Sequence, residues 1–149
     1  MTTAFLILDL ERDEGFRSTA YPDPISHGEP WTIGYGDTHG VTEGMTTTQG
    51  EALAKLATNI KGVCDQFDAE LPWWRTLSDL RQDVLANMAF NMGVEKLLTF
   101  NTLLGLVKAG DFAGAAADML TTLWAREVGN RAVRLSRQMA SNVHQSLPA

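Results

Sequence analysis

Cysteine is almost missing from this chain. Among 149 residues there is one, Cys64, so no disulfide can form within the molecule, and small folds held by cross-links are excluded. Cys64 sits at an apolar position of a helical pattern, between Ile60 and Phe67. No basic neighbour in sequence would activate it, so it reads as a buried structural thiol. Long hydrophobic runs are missing as well. The longest near the start is Ala4-Phe5-Leu6-Ile7-Leu8, far too short to span a bilayer. No basic segment precedes it and no small-residue cleavage site follows, so no signal peptide and no stable membrane anchor are expected, and synthesis is expected in a cytoplasm. Basic residues are outnumbered, 12 against 18 acidic ones, for a net charge of −6. Residues 1–75 hold 12 acids and 5 bases, and residues 76–149 hold 6 acids and 7 bases. A nucleic-acid binder needs a basic face to neutralise phosphates, and this balance argues against one. Arg126, Arg131, Arg134 and Arg137 form the one basic cluster. Repeats, linkers and low-complexity segments are also absent.

What remains is 44% hydrophobic and 20% charged, enough for a real core in a single domain of this length. Residues 4–14 read as a short helix with Leu6, Ile7 and Leu10 on one face and Gly15 just past its end. From Phe16 to Gly44 glycine and proline crowd between short stretches of strand propensity, Phe16–Tyr21 and Trp31–Tyr35. A small antiparallel sheet with turns is expected there. Thr48-Gln49-Gly50-Glu51 is a capping-box pattern. It predicts a long helix ending near Ala69, with Leu53, Leu56, Ile60, Val63 and Phe67 on one face. A further helix is expected from about Ser78 to Gly93, with Leu80, Val84, Leu85, Met88 and Met92 inward. Single helices are expected at 95–109 and 112–124. A last one starts near Gly129-Asn130, carrying Val133, Met139 and Val143. The expectation is an α+β, mostly helical fold of two lobes. A β-containing lobe at about 14–47 is joined by a connecting helix at about 48–69 to a helical lobe at about 70–149, which also takes the N-terminal helix. A cleft between two such lobes is the usual place for an extended substrate.

The chemistry-bearing residues come in a definite order. Glu14-Gly15-Phe16-Arg17 closes the first helix. Tyr21-Pro22-Asp23 follows, then Trp31-Thr32-Ile33-Gly34-Tyr35-Gly36. Further on come Asn87-Met88-Ala89-Phe90-Asn91-Met92-Gly93, Phe100-Asn101, Trp124 and Asn130-Arg131-Ala132-Val133-Arg134. Taken together and in this order, they resemble the phage lysozyme family, the muramidase endolysins of T-even phages and their relatives. That resemblance implies a lysozyme-like fold, and hydrolysis of the β-1,4 bond between N-acetylmuramic acid and N-acetylglucosamine in peptidoglycan, leading to host cell lysis. It implies catalytic Glu14, Asp23 and Thr32, and inversion at the anomeric carbon. Cleaving a glycosidic bond independently calls for an acid to protonate the leaving oxygen and a second carboxylate on the opposite face of the sugar. A hydroxyl can help hold the attacking water. A carboxylate at a helix C-terminus meets an unfavourable dipole, which invites a functional reason for Glu14.

By the same resemblance Arg131 lies beside the glutamate. Asn91 and Asn101 are candidate hydrogen-bonding partners of sugar. Trp31, Trp73 and Trp74 are candidate stacking residues, although aromatic residues in a small domain usually fill the core. Arg137 reads as solvated, and Trp124 resembles a core position of the family. No cofactor and no metal are implied. The expected partner is the glycan strand of peptidoglycan, met by a monomer that needs a separate holin-type protein for release from the host cytoplasm to the periplasm or cell wall. No separate wall-binding domain fits in the chain. Three departures stand out. Asp37 occupies the place of a frequent family histidine, with His39 two residues on. The loop Pro24–Pro30 is longer than usual, and the chain is acidic where many relatives are basic. Two alternatives remain. A lytic transglycosylase would cleave the same bond without water and leave a 1,6-anhydro end. A non-catalytic glycan-binding or tail-associated module would cleave nothing.

Overall fold

A computed structural model of the chain describes residues 1–145; the end of the expected helical lobe, 146–149, lies outside the described residues. The fold is α+β and mostly helical. Helix α1 (Ala4–Glu14) leads into β1 (Arg17–Tyr21) and β2 (Thr32–Gly34), and then into the long α2 (Gln49–Glu70). A short 3-10 turn at Trp74–Thr76 precedes α3 (Asp79–Met92), α4 (Val94–Leu98) and α5 (Asn101–Lys108). The chain continues through α6 (Phe112–Leu120), α7 (Leu123–Val128) and α8 (Asn130–Ser141). It divides into two compact units, Ile7–Gly62 and the combination of Met1–Leu6 with Val63–Ala149, so the divisions fall inside α1 and α2.

In the unit Ile7–Gly62, β1 and β2 pair antiparallel, with Arg17 opposite Gly34 and Tyr21 opposite Thr32. A bulge between those two positions absorbs the register shift. The middle of β1 also holds the segment before α2: Ala20 N donates to Met45 O at 2.9 Å, and Thr47 N to Ser18 O at 2.8 Å. Ala20, Ile33 and Val41 form a small core, against which Trp31 packs. After β2 the chain doubles back tightly. Ile33 and Asp37 exchange both backbone hydrogen bonds, at 2.9 and 3.0 Å, around Gly34-Tyr35-Gly36.

Helix α2 starts as its sequence predicts, with Thr48 Oγ1 accepting from Glu51 N at 3.2 Å. The Glu51 carboxylate is engaged by the Thr47 hydroxyl at 3.3 Å. The buried stripe, however, runs Ala52, Leu56, Ile60, Cys64, Phe67. Leu53, expected inward, is exposed. The reason lies opposite: a Cβ built on Gly34 would stand only 3.0 Å from the Cβ of Ala52. The turn therefore approaches the helix at Ala52, and the neighbouring Leu53 is rotated outward by about 100°.

In the other unit α3 is buried on all sides from Gln82 to Ala89. Leu80 and Met92, expected inward, are half-buried at its ends. Its polar side chains are used by neighbours. Asp83 accepts from Thr3 N at 2.8 Å and from the Thr3 hydroxyl at 2.5 Å, which fastens the first residues of the chain to α3. The Gln82 amide donates to Leu77 O at 2.9 Å. Arg81 lies over the Phe112 ring at 3.6 Å and donates to the last carbonyls of α8, Met139 O at 2.8 Å and Ala140 O at 3.1 Å.

The helices expected at 95–109 and 112–124 are each two. Phe100, with φ −80 and ψ 65, interrupts the first. Thr122 interrupts the second: its hydroxyl accepts from Ala125 N at 3.1 Å and begins α7 as an N-cap. Val143, expected on the face of the last helix, follows the end of α8 and is exposed.

Candidate active site

Glu14 is the last residue of α1. Gly15, at φ +68, turns the chain out of the helix and into β1. The glutamate carboxyl reaches the turn that follows β2. A Cβ placed on Gly36 would stand 2.8 Å from Glu14 Oε2, 3.2 Å from Cδ and 3.4 Å from Cγ. The carboxyl thus rests on bare backbone at Gly36, which itself has φ +74. Phe16 and Tyr35, the neighbours of the two glycines, meet with ring centroids 5.5 Å apart. The Glu-Gly-Phe-Arg segment and the Thr-Ile-Gly-Tyr-Gly segment are therefore joined by the Arg17–Gly34 strand pairing, by this aromatic contact and by the acid itself.

The β1–β2 pairing does the same for the other two candidates. Tyr21 faces Thr32 across the sheet, and Asp23 follows Tyr21 by two residues. Asp23 heads a tightly bonded loop. Its Oδ1 accepts from Ile25 N and Ser26 N, both at 2.9 Å. Its backbone N donates to Gly28 O at 3.0 Å, and its carbonyl accepts from His27 N at 2.8 Å. The Ser26 hydroxyl closes the loop on Glu29 O at 2.6 Å. The N–H donors of Ser26 and then Ile25 hold the Asp23 carboxyl below its ordinary value. The turn reading of Asp23 and its availability for chemistry are thus compatible, since both backbone N–H bonds of the loop fall on Oδ1. Thr32 is half-buried at the start of β2.

Beside the turn, Asp37 is buried, and its Oδ1 gathers Asn59 Nδ2 at 3.2 Å, His39 Nδ1 at 3.0 Å and His39 N at 3.2 Å. An aspartate bonded to an asparagine on α2 and to a histidine two residues on occupies the position where the family often has its own histidine. Trp31 serves the small core described above.

The remaining candidates belong to the unit that includes Val63–Ala149. Arg131 is buried, and its Nε donates to Asn87 Oδ1 at 2.9 Å. It does not lie on a solvated helix face, unlike Arg137, which is exposed. Asn91 Oδ1 accepts from the indole N–H of the buried Trp124 at 2.9 Å. Asn101 is the first residue of α5 and lines a groove of about 470 Å³ with Phe100, Asp118, Thr122 and Trp124. Trp74 is fully buried, edge-on to Phe67 at 5.1 Å, and donates its indole N–H to Asp68 at 2.7 Å. Cys64 is buried, and burial pushes its thiol up from the ordinary value.

Among the described residues no group of three His, Cys, Asp or Glu side chains is arranged to hold a metal, and no helix is long and apolar enough to cross a membrane. Three contributors were missed in the sequence: Gly36 as the seat of the acid, Ser26 as a donor to Asp23, and Asn87 as the partner of Arg131. Gly36, the second glycine of its motif, and Asn87, the first residue of its own, lie in segments the sequence singles out; Ser26 left no signal.

The sequence pattern of the phage lysozyme family matches residues 11–141. The endolysin of Acyrthosiphon pisum secondary endosymbiont phage 1 is 31% identical over 122 residues, covering 82% of this chain and 80% of that protein. The probable T4-type lysozyme 1 of Dictyostelium discoideum is 34% identical over 92 residues, 61% of this chain and 54% of that one. A shorter match, 38% over 65 residues, links 44% of this chain to 11% of the pre-baseplate central spike protein Gp5 of Enterobacteria phage T4. The chain belongs to the phage lysozyme family and is a lysozyme-type glycoside hydrolase.

Proposed function

We propose that the whole chain acts as one catalytic domain, hydrolysing the β-1,4 bond between N-acetylmuramic acid and N-acetylglucosamine in bacterial peptidoglycan with inversion. Glu14 donates its proton to the glycosidic oxygen as the bond to the anomeric carbon breaks. Asp23 accepts a proton from a water that attacks that carbon from the opposite face, and the Thr32 hydroxyl holds the same water. The sugar on one side gains the hydroxyl and the leaving sugar gains the Glu14 proton. The observation that carries this reading is the seat of Glu14: its carboxyl lies against bare backbone at Gly36, in the turn that follows the strand beginning at Thr32. The low proton affinity of Asp23 supports its half of the mechanism, because an acceptor must be ionised before it can act. Arg131, Asn91 and Trp31 are the proposed supporting contacts; Asn101, which borders two grooves, is proposed to contact the glycan strand away from the reacting bond.

Digestion of purified peptidoglycan by the wild type and by Glu14→Gln tests the assignment. The wild type should release new reducing ends whose first-formed anomer is inverted, read by NMR before mutarotation. Glu14→Gln should fold normally and lose at least about a hundredfold in rate. A 1,6-anhydro product would replace hydrolysis by transglycosylation, and near-normal lysis by the variant would remove Glu14 from the mechanism. The biological setting that fits is host lysis by a monomer made in the host cytoplasm and released by a separate holin-type protein. One observation favours a second setting, the match to a tail spike protein over 65 residues. Mass spectrometry of washed virions separates the two, because a tail-associated enzyme stays with the particle.

A further inference from the structure

Two adjacent tryptophans have opposite fates. Trp74 is fully buried with its indole N–H bonded to Asp68. Trp73 is half-buried and lines a separate groove of about 340 Å³ beside the C-terminus of α2. The floor of that groove is apolar, made by Leu71, Leu98 and Leu104. Its rim carries Glu70, Asn101 and Lys108. Among the described residues, none of the four polar side chains here, the Trp73 indole included, makes a hydrogen bond or ion pair. Gly105 opens the groove further: a Cβ there would meet nothing within 4 Å.

We propose that this groove binds an N-acetylhexosamine unit of the glycan strand, as a second holding point distinct from the site of Glu14, Asp23 and Thr32. The inference rests on the proposed peptidoglycan substrate. An apolar floor with an aromatic flank and a few unpartnered polar groups is the usual make-up of a small-ligand site. The volume is at the lower end of such sites, about 300–1,000 Å³, which suits one or two sugar rings. The rim is charge-balanced. Glu70 opposes a polyanion and Lys108 a polycation, whereas a neutral acetamido sugar offers hydroxyl donors to Glu70 and acceptors to Lys108 and the indole N–H. The apolar face of the ring and the acetamido methyl complement the leucines. A second holding point keeps an insoluble strand on the enzyme between cleavages and raises the effective concentration of the next bond.

The test uses full-length Glu14→Gln protein titrated with the N-acetylglucosamine tetramer and followed by the indole N–H signals in NMR. The Trp73 signal should move. Gly105→Gln fills open space on an exposed helix position, so it should fold as the parent does. On the Glu14→Gln background it should abolish that movement and weaken binding about tenfold. On the wild-type background Gly105→Gln should slow the clearing of intact sacculi several-fold and leave the hydrolysis of short soluble oligosaccharides unchanged. A Trp73 signal that stays fixed, or moves only with peptide-bearing muropeptides, overturns the groove. So does a Gly105→Gln enzyme that clears sacculi at the parent rate. Failure of the proposed function itself would show differently, as a wild type that releases no reducing ends.

Discussion

Replacing Gly36 by alanine tests the seat of the acid more sharply than removing the acid does. Two separate penalties arise. The residue has φ +74, a conformation that costs a side-chain-bearing residue about 1–2 kcal/mol. The new Cβ would also stand 2.8 Å from Glu14 Oε2, short of ordinary contact by at least about half an ångström. The carboxyl is the movable partner, so it retreats. A misplacement of about 1 Å costs on the order of a hundredfold in rate, and a retreat of half that size should cost roughly tenfold. Gly40→Ala separates the penalties. Gly40 has φ +67, is exposed, and a Cβ there meets nothing within 4 Å. Both variants should lose about 1–2 kcal/mol in urea or thermal unfolding. Only Gly36→Ala should also lose about tenfold in release of reducing ends from purified peptidoglycan, at a temperature where both are folded. Equal activity in the two variants would refute the argument that Gly36 exists to make room for Glu14.

Three further outcomes follow from particular contacts. Ser26→Pro deletes one of the two N–H donors to Asp23. The Asp23 carboxyl is held below its ordinary value of 3.8, so its loop bonds contribute above that pH and are lost as pH falls through the depressed one. The variant should therefore raise the pH at which activity fails on the acid side, and an unmoved acid limb would count against Asp23 as the acceptor. Asp68→Ala strips the indole N–H of the fully buried Trp74 of its acceptor. It should cost about 1–3 kcal/mol by thermal unfolding, nearly all of it from Trp74, because the Arg75–Asp68 pair is exposed and worth little. A loss well under 0.5 kcal/mol would show that water replaces the carboxylate. Cys64 is buried with its thiol pushed up by burial. It should resist a thiol reagent at pH 8 and react within seconds of unfolding in denaturant, and prompt reaction in the folded enzyme would contradict the burial.

Local signals in the sequence were legible wherever one residue makes one end of an element. Gly15 ends α1, Thr48 starts α2, and Ser78 caps α3 through Arg81 N at 3.3 Å. The family motifs singled out Glu14, Asp23 and Thr32 as candidates; the structure sets the Glu14 carboxyl against Gly36 and pairs Tyr21, two residues before Asp23, with Thr32. What was not legible depends on contacts between distant segments. Leu53 and Ala52 are equally good helix residues, and only the approach of Gly34 decides which faces inward. The breaks at Phe100 and Thr122 carry neither glycine nor proline, so apolar periodicity runs straight across them. The bond of Thr122 to Ala125 N is a cap that a serine or threonine can make wherever packing asks for one. Asp37 gave no hint of its partners, because Asn59 lies 22 residues on.

The bond between Thr3 and Asp83 has a consequence for how the chain is made. The residues before Ile7 belong with those after Gly62, and the intervening stretch forms a unit of its own. On the ribosome, synthesis runs at roughly 5–20 residues per second. The first residues therefore wait several seconds before Asp83 is even joined to the chain, and longer before α8 arrives to cover Arg81. Meanwhile the β-containing unit, contiguous in sequence, is free to form. The helical unit can close only after α8 has been made, through pairings of high sequence separation that are slow to find. Apolar surface on α3 stays open until then, and the ribosome-bound nascent chain, more than the finished enzyme, is the form most exposed to aggregation and proteolysis.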